Sequence, residues 1–381
     1  MRRSVLCPLL ALGLALTLPA RAHACGGLVS SDGSLGSDAQ RAFYAVRGDR
    51  TELVLQIVVP QGGKGYGALV PLSAEPTIDS APVAASDLEQ LESATQPVLR
   101  DLRSSGGGGI GCGAAASDKA LGGANGGGVL VGSTVAIGPV TAVSLSAATG
   151  AALRDWLTQN GYVVPAAAQR VVDGYAGAGR WLLALKRNDT PSAASSIGVH
   201  VTLPGDQRGF ALRMAGISVS GKASFTVFVA APAGVAPAAP FQAATLTDLN
   251  PSQALAAYPL AVESLVRARG GRAWLLEGVF DASAVLPAAL SKLSAPGSKL
   301  TRLSAVFQAA DLTEDVAFTA SAPPSVPTQI VVSANAPPTL PRGGELLLLG
   351  AMAALLLGVR LSLRRPERQQ LWLTPAPLRT A

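Results

Sequence analysis

Apolar and polar positions alternate with period two over many stretches of this chain and with period 3.6 over a few. Glu52-Leu-Val-Leu-Gln-Ile-Val-Val, within Thr51–Pro60, reads as a strand, and Gln61-Gly-Gly-Lys-Gly turns the chain into a second strand over Tyr66–Leu72. Ser86-Asp87-Leu88-Glu89 has the capping-box spacing, and Leu88, Leu91, Val98, Leu99 and Leu102 continue at helical period. From Ser104 to Gly128 the composition turns to Gly, Ala and Ser around Cys112, which predicts a flexible loop tethered by its cysteine. Strand-like sequence resumes over Val129–Leu145. Thr149 opens a helix through Leu153, Trp156 and Leu157 that stops at Asn160-Gly161, and Pro165 suits the start of another ending near Gly174. Trp181–Lys186, Ile197–Leu203, Phe210–Val219 and Ala223–Ala230 read as successive strands. Asn250-Pro251 caps a helix whose face is Leu255, Tyr258, Val262 and Leu265, ended by Gly270-Gly271. Ala273–Phe280 follows as a strand, Ser283–Leu293 as a short helix and Leu300–Phe318 as a strand pair. No internal repeat is visible. Strands outnumber helices and come in runs, so the expected class is α+β with largely antiparallel sheet.

The two ends carry a different kind of pattern. Arg2-Arg3, an apolar run from Val5 to Leu18 and Ala22-His23-Ala24 before Cys25 are the parts of a secretory signal peptide, residues 1–24. Near the other end Leu346–Val359 is a second apolar run, followed by Arg360, Arg364, Arg365 and Arg368. Extended to Leu363 it spans roughly 27 Å at 1.5 Å per residue, close to a hydrocarbon core of about 30 Å. Arg360 lies near enough to that end for its head to reach the interface. This predicts a transmembrane helix over 343–363 and a basic cytoplasmic tail over 364–381. The body, 25–320, then lies outside the inner membrane, joined to the span by a Pro-rich stalk over 321–342. A buried core helix and a processed sorting signal at Pro341-Arg342-Gly343-Gly344 are the competing readings of this end. Whether 25–320 is one domain or two lobes meeting near residue 146 stays open from the sequence.

Charge narrows the partners. The net charge of +6 suggests nucleic acid until its location is examined. The leader holds three arginines, and residues 343–381 hold five arginines and two glutamates. Of 30 basic and 24 acidic side chains, 22 of each therefore remain in residues 25–342. A neutral body has no electrostatic basis for binding phosphates. Cysteine usage agrees with export: once Cys7 leaves with the leader, Cys25 and Cys112 remain, and two thiols in an oxidising compartment are expected to pair. Such a bond would stabilise the fold by up to about 4.5 kcal/mol in the chain-entropy account. Lipidation of Cys25 is the alternative, and a membrane span would make it redundant.

Several segments form an ordered set. Cys25-Gly26-Gly27 is followed by Tyr66-Gly-Ala-Leu-Val-Pro-Leu, then by Trp156-Leu-Thr-Gln-Asn-Gly-Tyr-Val-Val-Pro165, Tyr175 and Trp181-Leu-Leu-Ala-Leu-Lys. Ala211-Leu-Arg213, Gly271-Arg-Ala-Trp-Leu-Leu-Glu277, Thr301-Arg-Leu303, Asp315 and Phe318 complete it. Over roughly residues 25–320 this set resembles the bacterial exported family catalogued as domain of unknown function 2330. The resemblance implies a signal peptide, one long exported domain and often a C-terminal span, and it implies no established activity. Leu69 stands where the family's strand has an aromatic, and the Gly-rich loop is poor in cysteine. The Cys25–Cys112 pairing therefore rests on this chain's own residues.

Candidate chemistry is sparse. His200, the one histidine after the leader, alternates with Val199, Val201 and Leu203 and is expected to point away from the apolar face as an ordinary strand residue. Gly62-Gly63-Lys64-Gly65 lacks the spacing and hydroxyl of a phosphate loop and reads as a turn. Asp311, Glu314 and Asp315 lack the alternating ligand pattern of a calcium loop. Neither catalytic residues nor cofactor- or metal-binding ones emerge. Arg213, Glu277, Arg302 and Asp315 are the charges worth following, since Arg213 and Glu277 interrupt apolar strands and all four fall in the motifs above. They pair inside the fold, or they line a cleft for a polar ligand. Two functions follow: a non-catalytic envelope domain binding another protein or polymer, or a glycan-acting hydrolase with Glu277 and Asp315 as its carboxylates.

Overall fold

The computed structural model describes residues 27–29, 39–59, 67–101, 128–188, 195–321 and 329–332. The expected leader, Cys25, Cys112 and the Gly-rich segment around it, the turn expected at 62–65, most of the Pro-rich stretch, the terminal apolar run and the basic tail lie outside them. Among the described residues no helix is long and apolar enough to cross a membrane.

The chain opens with β1 (Gly27–Val29), β2 (Ala39–Arg47) and β3 (Arg50–Val59). β2 falls where Gln40 and Arg41 obscure any alternation. It turns into β3 through Gly48-Asp49, and Gly48 adopts the left-handed conformation (φ 63°) that so tight a hairpin requires. β4 (Gly67–Leu72), β5 (Thr77–Ile78), β6 (Val83–Ala84) and α1 (Ala85–Thr95) follow. The helix is shorter than its periodicity predicts, and the capping box at Ser86 is not used, Ala84 being the cap position. Pro97 forces Gln96 into extended backbone (ψ 135°), so Val98 and Leu99 enter β7 (Val98–Asp101) instead.

β8 (Val129–Ile137) and β9 (Val140–Ala147) form a hairpin. α2 (Gly150–Gln159) starts at Thr149, whose hydroxyl accepts from the Ala152 amide at 3.2 Å, and α3 (Ala166–Gly177) follows Pro165. β10 (Trp181–Arg187) and β11 (Ser195–Pro204) appear where the alternation places them. The strand expected over Phe210–Val219 does not form. β12 is only Gly209–Phe210, and Leu212–Gly216 winds into α4, with Leu212, Met214 and Ala215 buried. A short apolar run fits a buried strand or a buried helix equally well.

β13 (Lys222–Ala231), β14 (Val235–Pro237) and β15 (Gln242–Thr245) come next. The one helix expected from Asn250 is two, α5 (Pro251–Ala256) and α6 (Tyr258–Ala268), because Pro259 cannot continue a helical ladder and Ala257 turns out of it. After β16 (Ala273–Asp281), Pro287 likewise divides the next helix into α7 (Ala282–Val285) and α8 (Ala288–Leu293). β17 (Lys299–Gln308), β18 (Val316–Ala320) and β19 (Gln329–Val332) end the described chain, β19 lying inside the Pro-rich stretch. β17 and β18 are not partners: β18 pairs with β12 and β14.

Two main sheets result. One has the order β1-β4-β10-β9-β8 and is antiparallel throughout. The other has nine strands, ordered β15-β16-β17-β13-β2-β3-β11-β5 with β6 also on β11, and is parallel only at β15/β16 and β13/β2. The inner faces share one core. Val70, Leu72, Ile137 and Leu185 of the smaller sheet cluster with Leu53, Leu55, Val199, Val201, Phe225 and Val227 of the larger. The smaller sheet's other face packs Leu145 and Leu182 on Leu153, Leu157 and Val172 of α2 and α3. On the larger sheet's other face Phe43, Val54 and Phe228 meet Leu88, Leu91 and Leu290 of α1 and α8. The order of layers is helix, sheet, sheet, helix. The protein is α+β with mostly antiparallel sheet.

Candidate functional site

The outer face of the large sheet carries a polar rung inside an apolar surface. Register places Ser304 of β17 opposite Thr226 of β13, Thr226 beside Arg41 of β2, and Gln56 of β3 opposite Gly198 of β11. Arg41 donates to Gln56 at 3.0 Å, and Gln56 to Ser196 at 3.0 Å. The next rung, Phe228–Phe43–Val54, is apolar.

Glu277 joins this rung through a β-bulge. Leu276 faces Leu303 while Gly278 faces Arg302, so Glu277 is the extra residue. Its Oε2 accepts from Arg302 Nε, and its Oε1 accepts from Ser304 Oγ at 2.6 Å and from the Tyr258 hydroxyl. Arg302 also donates to the Glu92 carbonyl (2.7 Å) and Thr95 Oγ1 (3.1 Å), and lies 5.5 Å from the Phe228 ring centre. Glu92 in turn pairs with Arg41. Burial and the Glu277 charge push the Tyr258 hydroxyl far above its ordinary range. The result is a closed network binding β16, β17 and β2 to α1 and α6, with Glu277 only 1% exposed.

Arg213 and Asp315 form a separate pair. α4 presents its first-turn amide, Arg213 N, to Asp315 Oδ1 at 3.1 Å, and the guanidinium reaches Oδ2 at 3.2 Å. The Tyr175 hydroxyl donates to the same carboxylate (2.7 and 2.8 Å), and the Arg213 guanidinium stacks 4.6 Å above the Tyr175 ring. Burial, then the Asp315 charge, push the Tyr175 hydroxyl up. Burial alone would lower Arg213, but Asp315 and Tyr175 outweigh it and hold the guanidinium charged.

This second pair borders a cleft of about 460 Å³ between the two sheets. Its lining includes Pro71, Leu72 and Tyr175 on the small-sheet side and Leu203, Phe210, Asp315 and Phe318 on the other. The structure therefore divides the four charges: Asp315, held by Arg213, lines the cleft, while Glu277 and Arg302 are sealed in the network. Arg180 and the Asp206–Arg208 pair also line it, and nothing in the sequence pattern marks them, since they sit on exposed turns.

His200 does lie on the outer face, yet it is only 8% exposed. Its Nε2 is 3.1 Å from Glu52 Oε2 and its Nδ1 is 3.2 Å from Asp79 Oδ2. Thr202 Oγ1 and Arg50 Nε donate to Glu52 at 2.6 and 2.9 Å. Burial would raise the Glu52 and Asp79 carboxyls, but their hydrogen bonds and the imidazole hold both below the usual range. The two carboxylates sit on opposite ring nitrogens, so they cannot converge on one ion. Among the described residues no three Asp, Glu, His or Cys side chains form a metal cluster. Of the acidic trio near the end, Asp311 accepts from the Gln308 amide and Glu314 pairs with Arg272.

A family model described as an uncharacterized protein conserved in bacteria (DUF2330) matches residues 19–319. The chain belongs to this family. The DUF2330 span takes in both outer-face networks, the cleft, Cys25 and Cys112; the terminal apolar run lies beyond it. No curated protein matches the chain. Among solved structures, a mutated baculovirus P35 after caspase cleavage matches 50% of this chain at 7% identity with a TM-score of 0.24. The match covers 65% of that chain, less than two thirds, and at that score it carries no argument about DUF2330.

Proposed function

We propose that this DUF2330 protein is an exported, membrane-anchored binding domain of the bacterial cell envelope. Its body lies outside the inner membrane, its C-terminus in the cytoplasm, and its partner, an envelope protein or polymer, engages the cleft beside Asp315. The leader, the terminal apolar run with its arginines and the neutral body support the placement.

The observation that carries the binding reading is the state of the two carboxylates. Hydrolysis of a glycan needs two carboxyls about 5–10 Å apart facing one cleft, one of them free to move a proton. Glu277 has both oxygens engaged inside the core and does not line the cleft. Asp315 lines it, but accepts from Tyr175 and Arg213. What remains open is a surface for hydrogen bonding and apolar contact, which is what a binding site offers.

The test is in-cell cross-linking from the exported face, with recovery through a cytoplasmic tag and mass spectrometry. Ala317→Trp fills the cleft from an exposed position and serves as the blocked control. One stoichiometric neighbour captured by the native protein and lost with A317W is the expected result. No neighbour above background, or capture unchanged by A317W, counts against the cleft.

A further inference from the structure

A cleft of about 460 Å³ is the size of a small-molecule site. Its walls mix polar groups with apolar side chains, Leu53, Leu72 and Leu203 from the two sheets and Phe210 and Phe318 from β12 and β18. Four charged side chains line it, and three already have partners. Arg208 donates to both oxygens of Asp206 at 2.6 Å, a bidentate pair, and Asp315 is held by Arg213 and Tyr175. Arg180 is the exception. Its backbone amide bonds to the Tyr175 carbonyl at 3.1 Å, just past the end of α3, but its guanidinium has no hydrogen bond or ion pair with any described residue.

Resting on the binding reading above, we infer that the cleft takes a ligand with an apolar body and one carboxylate, and that Arg180 holds that carboxylate. A cationic ligand would have to break an existing ion pair to find an anion here. A dianion would find one open guanidinium for two charges. A single carboxylate matches the guanidinium fork in geometry and charge, while an apolar body meets the edges of Leu72, Phe210 and Phe318 that border the cleft. The free C-terminus of a peptide and a free aryl or alkyl acid share this chemistry.

The experiment is saturation-transfer NMR titration on the full chain in lipid nanodiscs, with empty discs as blank. The probes are 3-phenylpropanoate, its near-isosteric amide 3-phenylpropanamide, and 3-phenylpropylamine. The carboxylate is expected to bind saturably and the other two at least tenfold more weakly. Arg180→Ala should weaken the carboxylate by about tenfold or more, Arg180→Lys by less, and A317W should abolish binding, all three with an unchanged melting temperature. N-acetyl-alanyl-phenylalanine as the free acid assigns the source: tighter binding than 3-phenylpropanoate points to a peptide end, weaker binding to a free acid. Amide or amine binding as tight as the carboxylate, or no effect of R180A, overturns the ligand class. No saturable binding by any probe overturns it too; the binding reading itself falls only if cross-linking also finds no cleft-dependent neighbour.

Discussion

Glu277 and Arg302 are charged groups taken wholly out of water, tolerable only because each polar atom has a partner. Removing one partner strands the other, so Glu277→Gln or Arg302→Ala should lower unfolding free energy by about 3–5 kcal/mol. Denaturant titration checks this, and Glu277→Leu with Arg302→Met should recover much of the loss. A folded, stable Glu277→Gln protein with lost ligand binding would instead make Glu277 a site residue. Around His200 the sign of the pH effect follows from the lowered Glu52 and Asp79 carboxyls. Groups depressed in the folded state contribute stability above their unfolded values, 4.5 and 3.8, and lose it as pH falls through the folded ones. Melting temperature should therefore fall below about pH 4.5, and less steeply in Glu52→Gln; Asp79, nearly half exposed, contributes the smaller share. Arg213 and Glu277 were legible in the sequence as charges inside apolar runs. Their partners were not, because pairing depends on register and on a bulge.

That bulge is the clearest element-scale device. It sets Glu277 and Gly278 on one face of β16, and a Cβ at Gly278 would stand 2.5 Å from the Phe280 ring. Gly278→Ala should cost about 1–3 kcal/mol, and combined with Phe280→Ala the two losses should add to less than their sum. At the other end of the scale of difficulty, α2 was legible down to its cap, and Thr149→Ala should cost about 1 kcal/mol in the same titration. Two causes part the elements from their periodicity. Pro97, Pro259 and Pro287 each cut a helix whose apolar spacing runs on regardless, and Phe210–Val219 carries too few residues for period to separate α4 from a strand.

For the whole molecule, the proposed export and anchoring make their own predictions. A reporter fused after Ala381 should be active only when folded in the cytoplasm, and one inserted at the exposed Gly48-Asp49 turn only outside it. Thiol alkylation of the purified protein should label neither Cys25 nor Cys112 until reduction exposes both; a diacylglycerol adduct on Cys25 would refute the pairing. The shared core between the two sheets predicts one cooperative unfolding transition for the described body, tested by coincident fluorescence and far-UV circular dichroism curves.

Local information was sufficient for most strands, for the caps of α2 and α5 and for the neutrality of the body, because periodicity, caps and charge counts are properties of neighbouring residues. The central place of β2, with Arg41 in a polar rung between β13 and β3, came only from tertiary structure, since a parallel pairing across some 180 residues leaves no local trace. The same holds for the cleft. Tyr175 and Arg180 at the end of α3, Arg208 and Asp315 come from three distant segments, and none of them stands out from its neighbours until two sheets pack face to face and leave one guanidinium without a partner among its described neighbours.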